Sequence, residues 1–140
     1  MIGKSLLALS TWLFTAGAGA LAAESAAVDV SKLPPPAART GVTYTAHIKP
    51  IFDQSCVKCH GPEKPKARLR LDSLDGALKG GENGKAIKPG QSAQSPLVHS
   101  IARIGDPDYH MPPANNKAGI KPLTKEEVAL VRAWIDQGAK

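Results

Sequence analysis

Cys56 and Cys59, with His60 directly after the second, are the residues of this chain best placed to do chemistry. They are its only two cysteines. Four chemistries use such a pair: a disulfide, a redox-active dithiol, a zinc knuckle and covalent cofactor attachment. A bridge across two intervening residues closes a very short loop and constrains the unfolded chain little. A redox dithiol of the thioredoxin type needs a strand–helix context in a βαβ unit, and the flanking sequence offers none. A structural zinc site takes four ligands, usually from two knuckles. Here there is one knuckle, and His47, His99 and His110 lack zinc-type spacing.

Haem attachment accounts for all three residues. Two intervening residues on a helical turn bring both sulfurs to one edge of a porphyrin for thioether bonding. The next residue then points an imidazole nitrogen at the iron, and C-x-x-C-H is the recognised signature. The second imidazole nitrogen is expected to donate to a backbone carbonyl, which fixes the ring and tunes the iron. A second axial ligand is required on the opposite face. Past Met1 the chain has one methionine, Met111, in the stretch DYHMPP. A Met/His pair raises the reduction potential, and Pro112 and Pro113 stiffen the loop that carries the sulfur. A lone methionine is usually an adaptable core filler, but no apolar period includes Met111. His99 and His110 are its rivals. His99 is expected on the polar, solvated side of a short helix, and His110 would need a shifted loop. The expected site is therefore Cys56, Cys59, His60 and Met111, around one covalently attached haem c.

These residues must be positioned by surrounding elements. Tyr44 to Cys56 reads as a short helix with Ile48, Ile51 and Phe52 on one face. Pro50 belongs in a first turn, so its regular part is expected to begin near Lys49. Residues 62–70, with Pro62 and Pro65, read as loop, and Leu74 and Leu78 share a helical turn. Gly80-Gly81, Asn83-Gly84 and Pro89-Gly90 punctuate a further loop. Ser95-Pro96 opens a helix striped by Leu97, Val98, Ile101 and Ile104, with proline at its first position. Residues 106–122 are irregular. Thr124 and Glu127 form a capping box, and Val128, Val131, Trp134 and Ile135 follow at helical spacing, up to Gly138. Strand patterning is absent. The fold class predicted is all-α with long loops.

The first 22 residues read as a secretory signal peptide. Lys4 supplies a positive n-region, Leu6 to Phe14 an apolar h-region and Ala20-Leu21-Ala22 a small-residue cleavage site. The competing reading is an uncleaved anchor, since the uncharged run from Ser5 to Ala23 has 19 residues. Its second half is Gly/Ala/Thr-rich and lacks a basic stop-transfer flank, which favours cleavage and leaves no transmembrane segment. Residues 23–43, with Pro34-Pro35-Pro36, read as an Ala/Pro-rich tether of polyproline character. Residues 44–140 then form the folded domain. Export places it in an oxidising compartment, the periplasm, where free thiols rarely persist.

Setting Lys4 aside leaves 17 basic and 12 acidic residues. The excess positive charge suits redox partner proteins with acidic faces, through long-range steering. No aromatic-interleaved basic stripe or nucleic-acid motif is present, so no nucleic-acid partner is expected. Past the leader only Tyr44, Phe52, Tyr109 and Trp134 are aromatic. So thin a core would gain from a large apolar cofactor.

The chain resembles class I cytochromes c, and more closely the planctomycete-type cytochrome c domain, over about residues 44 to 138. The resemblance is carried by CVKCHGPEKPKARLRLDS, ALKGGENGKAIKPG, SPLVHSIAR, MPP and LTKEEVALVRAWIDQGA. It implies a cytochrome c fold whose N- and C-terminal helices cross, with Phe52 against the face carrying Val131 and Trp134, and long haem-wrapping loops. It also implies thioether links at Cys56 and Cys59 and iron ligation by His60 and Met111. Arg68, Arg70, Lys85 and Lys88 are candidates for the haem propionates, although ordinary surface charge is the plainer role for each. The function expected is an exported monohaem electron carrier, not an enzyme. The alternatives are a haem sensor or small peroxidase with a labile Met111 bond, or a haem subunit of a larger dehydrogenase complex.

Overall fold

Thr124 and Glu127 close a reciprocal cap. The Thr124 hydroxyl accepts from the Glu127 amide at 3.2 Å, and the Glu127 carboxylate accepts from the Thr124 amide at 2.7 Å. Two donors that the first helical turn leaves orphaned are satisfied together. In the computed structural model, which describes residues 27–140, five α-helices are seen among the described residues: α1 (Lys49–Ser55), α2 (Val57–His60), α3 (Leu74–Lys79), α4 (Pro96–Ala102) and α5 (Lys125–Asp136). No strand is found among these residues, only an isolated antiparallel bridge between Gly81 and Gly84. The all-α class expected from the sequence holds. The expected signal peptide lies outside the described residues.

Helix α5 buries the stripe predicted for it. Val128, Val131, Trp134 and Ile135 are all buried, and Trp134 Nε1 donates to the Lys140 carbonyl at 3.0 Å. Its chain direction changes at Gly138, where φ is +99°. That is a backbone region glycine enters without a Cβ penalty.

Pro50 shapes the other end of the domain. A proline inside a continuous α-helix would lack its hydrogen bond to the carbonyl four residues back and would strike it. Here the preceding residues, Tyr44–Ile48, form a wider π turn, in which the Lys49 amide donates to the Tyr44 carbonyl. Helix α1 follows, with Pro50 in its first turn. The Tyr44–Ile48 turn packs on α5. The Phe52 and Trp134 rings meet edge to face, 6.2 Å between centroids and 86° between planes. Tyr44 lies against both, at 6.2 Å and 5.9 Å. Three of the four aromatics past the leader thus form one cluster, in arrangements that aromatic quadrupoles favour.

The described part of the segment expected as a free tether, residues 27–43, instead lies along α5. Leu33 and Val42 are buried. The Ala37 amide donates to the Ala129 carbonyl at 2.9 Å. Arg132 donates to the Pro34 carbonyl, Gln137 Nε2 to the Arg39 carbonyl at 2.8 Å, and the Val42 amide to Gln137 Oε1 at 3.1 Å. The physical reason lies in the polyproline backbone. It makes no internal hydrogen bonds, so its carbonyls are free for donors on a neighbouring helix, and two apolar residues seat it. Among the described residues no helix is long and apolar enough to cross a membrane.

Candidate functional site

Helix α2 is a single turn that begins directly beyond Cys56, and the Cys59 and His60 amides both donate to the Cys56 carbonyl, at 3.0 and 2.8 Å. One turn thus sets Cys56, Cys59 and His60 on a common wall. Cys56 is buried and Cys59 half-buried, and no disulfide joins them. Burial pushes the Cys56 thiol up to about 12. A thiol so disfavoured as thiolate is a poor exchange nucleophile. Among the described residues, no group of three or more His, Cys, Asp or Glu side chains is arranged to hold a metal ion. The zinc reading has nothing to complete it.

His60 is held at both ends. Its Nδ1 lies 3.1 Å from the Leu69 carbonyl, and its own carbonyl accepts from the Leu71 amide at 2.8 Å. A carbonyl only accepts, so Nδ1 carries the proton and Nε2 keeps its lone pair. This is the backbone partner that the sequence called for but did not identify. Burial draws the His60 pKa below its ordinary value. The contacts to the Leu69 and Lys66 carbonyls oppose that shift, and the Lys66 charge adds to it. A neutral imidazole is the form that can ligate a metal.

The chain reaches Leu69 through two left-handed residues, Ala67 at φ 51° and Arg68 at φ 52°. The Gly81–Lys85 loop backs this turn, with the Glu82 amide donating to the Ala67 carbonyl at 2.8 Å. Gly81 has no room for a side chain, because a Cβ there would lie 2.4 Å from the Ala67 oxygen. Close approach of two backbones is what requires glycine at this position.

Cys56, Cys59 and His60 line a cavity, and so does Met111. Met111 lies 51 residues after His60 and is anchored by α4, its amide donating to the Ser100 carbonyl at 3.0 Å. Apolar groups dominate the rest of the wall, among them Leu69, Leu71, Leu97, Ile101, Ile120 and Leu123. About 250 Å³ is open to the centres of water-sized spheres, against about 10–15 Å³ for a single water. Two unpaired thiols, an oriented neutral imidazole and a thioether in one roomy apolar cavity are a donor set that fits a covalently attached haem.

The rival ligands are elsewhere. His99 and His110 do not line the cavity. His99 is half-buried on the polar side of α4, where its Nε2 lies 2.8 Å from the Ala93 carbonyl. His110 Nε2 is buried without a hydrogen-bond partner among the described residues. Of the four propionate candidates only Lys85 lines the cavity, and its Nζ donates to the Leu78 carbonyl at 2.7 Å. Arg70 pairs with Asp72 through two hydrogen bonds of 2.9 and 2.6 Å, and the exposed Arg68 lies 3.8 Å from Glu82.

Sequence reasoning missed much of the wall. Leu97 and Ile101 read as ordinary core stripe, and only part of that stripe faces core. Asn116 was not singled out at all. It also lines the cavity, and its side chain gathers the 113–120 loop by donating to the Pro113 and Ile120 carbonyls and accepting from the Ile120 amide. The Asn115-Asn116 pair between Pro113 and Pro122 was the available signal.

Comparison with known proteins agrees with this chemistry. No curated protein and no solved structure matches the chain. The family described as planctomycete cytochrome C matches residues 56–115, a stretch that starts at the first cysteine and takes in His60 and Met111. The match is consistent with a planctomycete-type cytochrome c domain over those residues, and it points to the haem-binding electron carriers as a class.

Proposed function

We propose that the chain is an exported monohaem c-type cytochrome that passes single electrons between redox partners, with Cys56 and Cys59 as thioether anchors and His60 and Met111 as the axial ligands. The observation that carries this reading is that all four residues line one apolar cavity, with His60 already oriented by Leu69. The bound haem would supply the one-electron chemistry. The chain's own contribution is to hold the anchors on one turn, keep His60 Nε2 free of its proton, exclude water with the Leu and Ile wall, and bring a thioether from α4's side. Two protein side chains, His60 and Met111, would hold the iron, which suits a carrier.

The carrier reading is favoured over a peroxidase by the histidines. A peroxidase needs a distal acid–base group within reach of its substrate, and neither His99 nor His110 lines the cavity. The partners proposed are periplasmic or membrane-bound redox proteins with acidic faces, matched to the chain's net positive charge. A haem stain of the purified protein on a denaturing gel tests the reading, together with its reduced-minus-oxidised spectrum. A stained band and a six-coordinate spectrum in both redox states are expected. A colourless band would refute it.

A further inference from the structure

The loop that carries Met111 has an unusual shortage of handles. Pro112 and Pro113 have no N–H, so between the amides of Met111 and Ala114 the backbone can be fixed only through its carbonyls. Pro112 is buried. Its carbonyl accepts from Arg103 Nη1 at 2.8 Å. Arg103 has no carboxylate in ion-pair range among the described residues, so the chain has placed this guanidinium against a backbone carbonyl rather than an acid.

Arg103 is itself held in a disfavoured conformation. It follows the last residue of α4 at φ 56°, ψ 43°, the left-handed region that glycine or asparagine ordinarily fills at a helix end. Its amide donates to the Ser100 carbonyl at 3.2 Å, and the Ile104 amide donates to His99 at 3.1 Å, which closes the helix end. The same Ser100 carbonyl accepts the Met111 amide. The end of α4 therefore grips the methionine loop twice, at the Met111 amide and at the carbonyl of the next residue. An outlier backbone at a site is a reason to look for a role, and the side chain there supplies one.

We infer that Arg103 is a positioning residue for Met111, holding the loop to the end of α4 through the Pro112 carbonyl. The inference rests on the proposed haem ligation for its chemical meaning, and on the α4 contacts alone for its geometry. Arg103→Gly is the informative variant, because glycine suits φ 56° and the backbone should be retained. The haem-stained wild type and variant would be compared for carbon monoxide uptake on reduction and for hydrogen exchange at the Met111 amide. Exchange at Val131 and Trp134 in α5 serves as the internal reference. Arg103→Gly is expected to speed Met111 exchange by about tenfold, the scale of one hydrogen bond from a charged donor. It should also speed carbon monoxide uptake, with α5 exchange unchanged. Arg103→Lys, which retains a cationic donor, should restore part of both. Unchanged carbon monoxide uptake in stained protein overturns the inference. So does Met111 exchange that stays the same or rises only in step with α5. If neither preparation stains, that failure belongs to the proposed function, and Met111 exchange alone decides the role of Arg103.

Discussion

His60 Nδ1 and the Leu69 carbonyl are 3.1 Å apart, which ties the imidazole to a loop nine residues further along the chain. That loop is in turn pressed against Gly81, where a Cβ would fall 2.4 Å from the Ala67 oxygen and 3.1 Å from Leu69 Cβ. The ring's orientation therefore depends on a glycine that never touches it. Gly81→Ala is expected to push residues 67–69 outward and to cost about 1–3 kcal/mol, the usual size of an overpacking error. Urea denaturation reads the stability. Loss of the protected His60 Nδ1 proton in the NMR spectrum reads the displacement. A variant as stable as wild type with that proton intact would show that the loop yields freely.

Met111 lines the same cavity as His60 while depending on a different helix. In the haem-loaded protein, Met111→Ala is expected to lower the reduction potential, since methionine ligation is what raises it. It should also admit carbon monoxide to the reduced protein. Met111→His should close the site again while keeping the lower potential. Redox titration and carbon monoxide difference spectra decide between these outcomes. An unchanged spectrum and potential in Met111→Ala would remove Met111 from the ligand set.

Legibility in the sequence followed the range of the interaction. The capping box of α5 spans three residues, and Pro50 and Pro96 act within a turn, so each could be read from its neighbours. The cavity side of the α4 stripe could not, because apolar period distinguishes inside from outside but not core from cofactor pocket. The 27–43 segment failed for a related reason. Polyproline composition says that carbonyls lack internal partners, but the donors that take them, Arg132 and Gln137, stand 98 residues away from Pro34 and Arg39. The polar side of α4 was legible for His99, but its partner Ala93 belongs to a 3-10 turn at Ser92–Gln94 that no local pattern announced.

Tyr44 offers a pH test of the aromatic cluster. Its hydroxyl donates to the Leu71 carbonyl at 3.0 Å. Burial, followed by the nearby Asp53, Asp72 and Cys56, raises its pKa from 10.0 to about 12. The protonated form is the one the fold favours, so this contribution is fully present below the unfolded value and is lost as pH rises through the folded one. Tyr44→Phe is expected to be less stable than wild type by about 1 kcal/mol at neutral pH, for the lost hydrogen bond. That difference should shrink as pH rises from 10.0 to about 12. Denaturation curves of both proteins across the window check the sign, and a constant difference would place the ionisation elsewhere.

Arg132 joins the N-terminal segment to the body of the domain. Its Nε donates to Ser92 Oγ at 3.0 Å, and Nη1 donates to the Pro34 carbonyl. Ser92 is fully buried and is held from its other side by Asp136, which accepts from the Ser92 amide and hydroxyl, each at 2.8 Å. Arg132→Met keeps most of the apolar stem and deletes both donors. It is expected to cost about 1.5–3 kcal/mol, the range for hydrogen bonds to charged groups. If residues 27–43 are an integral part of the fold, exchange at the Ala37 amide should accelerate with it, because its acceptor Ala129 lies one helical turn before Arg132. If the segment were a tether resting on the surface, stability would stay near wild type and only the segment's own amides would respond. Hydrogen exchange of the two proteins alongside urea denaturation separates these cases.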